Sequence, residues 1–288
     1  MRSRRELGLG LMILCVGLAG CTKAAPEGEA SSSDGAAGAV PPPLVHFEKV
    51  VESFRAGHLA AAYSDYLPAR YDEDLNRLFD KVKALLDEGV FARLETFAGK
   101  LAARLVPALK ARAESAPGLA RLAEHFSEPL ALLGLESYAG LQEIGVRAWL
   151  ERIEKGGLGE WLARETQSRL GQPRFSLSRH EGDYARVVLE TGEDGEASER
   201  QAEELVVVDG KWVTLGMAAS WEKQIEVLEK ALDAQLELKR VEPGYVAKQI
   251  ATWESALDMI AAGLSEAIER LAQGLPLTQV GDGTPSEP

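Results

Sequence analysis

Residues 203–215 read EELVVVDGKWVTL. Val206, Val207 and Val208 are β-branched, and Trp212, Val213 and Thr214 follow closely, so both flanks favour extended backbone. Between them Asp209-Gly210 accepts positive φ at both positions, which is what a two-residue type I′ hairpin turn requires. Two antiparallel strands joined at this turn are expected. Further back, Phe175, Leu177 and Arg179 alternate with Ser residues, and Glu181-Gly182-Asp183 turns the chain. Tyr184 to Thr191 returns through Val187, Val188 and Leu189, and Gly192 to Ser198 is a polar loop. The stretch 173–216 therefore predicts an antiparallel meander of about four strands.

On either side the apolar period changes from two to about 3.6. Val45, Phe47, Val50, Val51 and Phe54 share one helical face, broken at Gly57, and a short segment carries Leu59, Ala62, Tyr63 and Tyr66 up to Pro68. Leu75 to Leu86 follows with Gly89 as its stop, then a longer helix from Phe91 to Leu109 that Pro107 is expected to kink or split. Tyr138 to Glu154 and Leu158 to Ser168 read as helices as well, so 44–171 is a helical body. After the strands, Trp221, Ile225, Leu228, Leu232 and Leu236 form one stripe. Val246, Ile250, Trp253, Leu257, Ile260, Leu264, Ile268 and Leu271 form another, resembling a coiled-coil seam. Pro243-Gly244 joins the two, which predicts an antiparallel helix hairpin over 218–273. The fold class is α+β and predominantly helical, one domain over 44–273 with a disordered tail at 274–288.

The N-terminus reads as an address. Arg2, Arg4 and Arg5 precede an apolar run from Leu7 to Ala19, too short for the ~20 residues of a spanning helix and suited to a signal-peptide core. The run ends in Leu18-Ala19-Gly20-Cys21, which resembles the lipobox of bacterial lipoproteins. The resemblance implies that Leu18, Ala19 and Gly20 are read by signal peptidase II, that residues 1–20 are removed, and that Cys21 carries diacylglycerol on its thiol and acyl on its amine. Two or more chains anchor stably where one does not. Thr22 in place of Asp tilts the expected destination to the outer membrane, facing the periplasm. From Cys21 to Pro43 the chain is mostly Ala, Gly, Ser, Pro and Glu, the composition of a flexible tether. With Cys15 removed and Cys21 lipidated, disulfides, thiolate catalysis and Cys-bound metals are excluded.

The opening helices from Val50 to Leu67, together with the Asp209-Gly210-Lys211-Trp212 hairpin, resemble domains of the nuclear-transport-factor-2-like superfamily, some of which occur in lipoproteins. That resemblance implies helices packed on a curved sheet with a ligand-holding cone between them, and it carries no functional residue across.

Chemistry is thinly signalled. The chain has 288 residues, 45% hydrophobic and 27% charged, with a formal net charge of −13. No basic stripe is present for a phosphate backbone, and 6% aromatic residues supply few stacking platforms, so nucleic acid is not an expected partner. His46, His58, His125 and His180 lack metal-ligand spacing. His180, Glu181 and Asp183 crowd a turn and read as its solvated polar residues. Asp72, Glu73 and Asp74 read as the acidic start of a helix, with Asp72 or Asp74 as its cap, ahead of a divalent-cation site. Glu222, Glu226, Glu229 and Asp233 read as a solvated face, and Trp149, Trp161, Trp221 and Trp253 as core. No catalytic residue, cofactor or metal is expected. The sequence thus predicts a lipid-anchored periplasmic envelope protein of non-enzymatic interaction or accessory type, with an envelope protein as partner. The alternative is a small-ligand binder with a nuclear-transport-factor-2-like or inter-helix cavity.

Overall fold

The computed structural model describes residues 40–112, 123–124, 130, 134–157, 159–160, 163, 174–191 and 199–272. Expectations that fall on residues 1–39, on His125 and Trp161, on most of 158–168 and on 274–288 lie outside this set. Among the described residues six helices precede the sheet: α1 Pro43–Arg55, α2 Leu59–Tyr66, α3 Ala69–Leu85, α4 Glu88–Arg112, α5 Tyr138–Gln142 and α6 Val146–Lys155. Four strands follow, β1 Arg174–Glu181, β2 Tyr184–Thr191, β3 Glu199–Val208 and β4 Lys211–Thr214. Then come α7 Leu215–Val241, α8 Tyr245–Ser255 and α9 Leu257–Ala272. The chain is α+β and predominantly helical, with the expected meander in order β1-β2-β3-β4, every pair antiparallel.

Asp209 at φ 47° and Gly210 at φ 75° make the tight turn that the sequence requires, and it sets the register Val207↔Trp212 and Val206↔Val213. Alternation then sorts side chains to two faces. Ala185, Val187, Leu205 and Trp212 pack with Val40, Leu44 and Phe47 beneath α1. Val206, Val208 and Val213 face the main helical core with Trp221 and Ile225. The sheet is thus apolar on both sides where β3 meets β4, because α1 covers one face and α7 the other. At the opposite edge a bulge between Leu177 and Arg179 shifts the register of β1, most of whose side chains are exposed.

Boundaries moved for identifiable reasons. The tether expected up to Pro43 joins the body earlier: Val40 packs on the sheet, the Pro41 carbonyl accepts from Trp212 Nε1 at 2.8 Å, and Pro43 opens α1 at a position that needs no N–H. Gly89 is not a stop; α3 ends at Leu85, and Asp87 caps α4 by accepting from the Val90 amide at 2.8 Å. Pro107 lies inside α4 without ending it. The helix expected over Tyr138 to Glu154 is two, separated at Gly145. The helix expected from Val246 to Leu271 is broken at Ala256, where φ −104° and ψ 12° leave the helical region.

The C-terminal helices meet at the Pro243-Gly244 turn, but they do not pair lengthwise as a hairpin. α7 lies along α3, while α8 and α9 lie along α4. Arg77 bridges Glu229, Lys81 bridges Asp233, and Lys239 bridges Asp87; then Lys100 bridges Glu254 and Arg104 bridges Asp258. Partners rise together along both chains, so each packed pair runs parallel. Each C-terminal stripe is spent on an N-terminal helix: Trp221 stacks on Tyr71 with ring centroids 4.1 Å apart, and Ala261 joins Leu105 and Leu109.

Candidate functional site

Several polar side chains inside the body hold helix ends. Asp72 does not cap α3, whose N-cap is Pro68; its Oδ1 accepts from the Tyr63 hydroxyl at 2.6 Å and from Asn76 Nδ2 at 3.0 Å. Burial and that carboxylate push the Tyr63 phenol well above its usual range. Asn76 Oδ1 accepts the Val146 amide at 2.9 Å, supplying the first turn of α6 with the cap that Gly145 lacks. A Cβ on Gly145 would meet that oxygen at 2.5 Å. Glu154 accepts the Ala60 amide at the start of α2. Beside it Gly57, at φ +81°, turns the chain where Gly159 leaves no room for a side chain. Lys83, 9% exposed, donates to the Ile144 carbonyl at 3.0 Å and bridges Asp80 at 2.7 Å. Asp74 accepts from Trp221 Nε1 at 2.8 Å and from Arg77. Asp72 therefore works through Tyr63 and Asn76 and Asp74 through Trp221 and Arg77, while Glu73 is exposed.

A second polar cluster lies where α1 meets the hairpin. His46 is buried at 6% exposure and its Nε2 has no hydrogen-bond partner. Burial holds its pKa below the ordinary imidazole value, Lys211 and Lys49 push the same way, and a main-chain hydrogen bond at Trp212 and the Asp65 charge oppose them. The Lys211 ammonium donates to the carbonyls of Ser64 and Leu67, closing the end of α2, and burial lowers its pKa. The opening helices and the Asp209-Gly210-Lys211-Trp212 hairpin are thus in contact, in a solid core around Trp212.

Between α1 and the start of β1 an open groove of about 860 Å³ is lined by Glu48, Val51, Glu52, Arg55, Ala56, Arg174 and Phe175. Glu48, Glu52 and Arg55 are at helical spacing on one side, Arg174 and Phe175 on the other. Its lining mixes acidic Glu48 and Glu52, basic Arg55 and Arg174, and apolar Val51, Ala56 and Phe175, so groups of either charge could be met there. The sequence did not gather this set: Val51 reads as part of a helix face and Phe175 as part of a strand, and the two segments meet only through the docking of α1 on β1.

Of the other candidates, His58 precedes α2 with no side-chain cap. His180 is exposed on β1, edge-on to Trp212 at 5.6 Å. Glu181 pairs with Arg179 at 2.8 Å, and the Asp183 carbonyl accepts from Val207, so the turn does not gather a site. Of the expected solvated face, Glu222, Glu226 and Asp233 are exposed and Glu229 is half-buried; Glu229 and Asp233 also bridge to α3, while Glu226 pairs with Lys230. Among the described residues no group of three His, Cys, Asp or Glu could hold a metal ion, and no helix is long and apolar enough to cross a membrane. No family model matches the chain, and neither a curated protein nor a solved structure matches it.

Proposed function

We propose that this chain is a lipid-anchored protein of the bacterial cell envelope, facing the periplasm from the outer membrane, that acts by binding another envelope protein and not by catalysis. The observation that carries this reading is Leu18-Ala19-Gly20-Cys21 at the end of a short apolar run preceded by Arg2, Arg4 and Arg5. The structural duties of Asp72, Lys83 and Glu154 support it, since these buried or part-buried ionisable groups would otherwise be the natural candidates for acid–base work.

The groove between α1 and β1 favours a second reading, in which the body binds a small ligand there. Native mass spectrometry of the protein extracted from its envelope in mild detergent separates the two. A stoichiometric protein adduct is the expected result. A reproducible small-molecule mass, lost in an Arg174→Glu variant, moves the function to the groove. A bare lipoprotein free of either adduct contradicts both.

A further inference from the structure

α7 carries a second apolar stripe. Val227, Ala231, Ala234, Leu238 and Val241 follow one another at steps of four, three, four and three, so they share one face. All five are exposed, Val227 at 54%, Leu238 at 42% and Val241 at 69%. The stripe that α7 buries, from Trp221 to Leu232, lies on the far side against α3. Among the described residues nothing covers the outer one, and its spacing is that of a coiled-coil seam.

We propose that this face binds the same face of a second copy of the chain, as an antiparallel two-fold contact centred near Ala234. The stripe is complementary to its own reverse. Turned about Ala234, Val227 lies level with the partner's Val241, and Ala231 lies within one residue, ~1.5 Å of rise, of the partner's Leu238, so that a small side chain receives a large one. Two alanines near the axis let the backbones approach closely. Along one rim Lys230 lies within one residue of the partner's Glu237, in reach of its long side chain, and symmetry repeats the pair. In one molecule Lys230 and Glu237 are held by Glu226 and Arg240 in exposed pairs that exchange at little cost. A parallel pairing loses both features, because Leu238 then faces Leu238 and Lys230 faces Gln235. The contact spans only ~21 Å of helix, so the dimer is weak and reversible.

Cross-linking in the full-length chain tests this contact. With Cys15→Ser and Cys21→Ser, an Ala234→Cys substitution is the sole thiol and sits at the proposed axis, within disulfide reach of its copy. Glu222→Cys, exposed on another side of α7, reports random collisions under the same conditions. The expected result is oxidation to dimer ~10-fold faster at 234 than at 222. Lys230→Glu slows it severalfold, and adding Glu237→Lys restores it. Equal rates at the two positions overturn the proposal, as does a charge reversal that the second substitution fails to rescue. Circular dichroism confirms that the variants are folded. This chain carries no lipid, so the outcome is independent of the proposed anchor.

Discussion

Asn76 touches more of the fold than its size suggests. Its amide nitrogen donates to Asp72 and its oxygen receives the Val146 amide, so one side chain joins α3 to α6 while Asp72 joins α3 to α2 through Tyr63. Asn76→Ala leaves a part-buried amide and a carboxylate short of partners, and we expect a loss of about 1–3 kcal/mol in urea unfolding. Gly145→Ala drives a methyl against the same oxygen, so it destabilises the natural chain and costs less when Asn76 is already Ala. Additive losses would show that the clash is relieved elsewhere. His46 gives a pH signature. Its folded pKa lies below the unfolded value, so its neutral form is favoured by folding; the stabilisation is complete above ~6.5 and is lost as pH falls through the folded pKa. Unfolding midpoints at pH 7.5 and 5.5 should therefore differ, and less so in His46→Gln. None of this was legible in the sequence, where Asn76 and Val146 stand seventy residues apart and His46 is one polar residue in an apolar stripe.

Elements were far easier to read than their partners. The Asp209-Gly210 turn and the alternation around it set four strands in their observed order, because a hairpin's register follows from local chemistry. The stripes of α7 and of α8–α9 were equally plain, yet a stripe states which face is buried and not against what. Pro243-Gly244 suggested that the two would bury each other. Instead Tyr71 and Asp74 hold Trp221 against α3, and α4 takes the rest, an outcome decided by residues well over a hundred positions away. Two expectations belong to this scale. Pro107→Ala, at an exposed position inside α4, restores a donor to the helix and should stabilise the chain by roughly 1–3 kcal/mol, seen as a higher Tm. A lower Tm would mean that the proline holds a bend the packing needs. Reversing Lys81 or Asp233 alone should cost no more than about 1 kcal/mol, with recovery in the double reversal, since the Asp233 carboxylate is exposed and Lys81 is only half-buried.

On the proposed reading the whole molecule joins a lipid anchor to a body in which Asp72, Asn76, Lys83 and Glu154 are occupied in holding helices and His46 is left without a partner at Nε2. Fold class was within reach of periodicity and turn chemistry. The groove between α1 and β1 was not, because it exists only where two distant segments dock and alternates charges that look solvated in the sequence. If the groove is where a ligand sits, Arg174→Glu abolishes binding and leaves the unfolding midpoint within about 0.5 kcal/mol of the natural chain. The central claim is the anchor, and the mass of the N-terminal peptide from protein isolated out of bacterial membranes tests it most directly. The account predicts a peptide beginning at Cys21, heavier than its sequence by a diacylglyceryl group and an amide-linked acyl chain. A peptide that retains the residues before Cys21, or begins there with an unmodified thiol and amine, would contradict it.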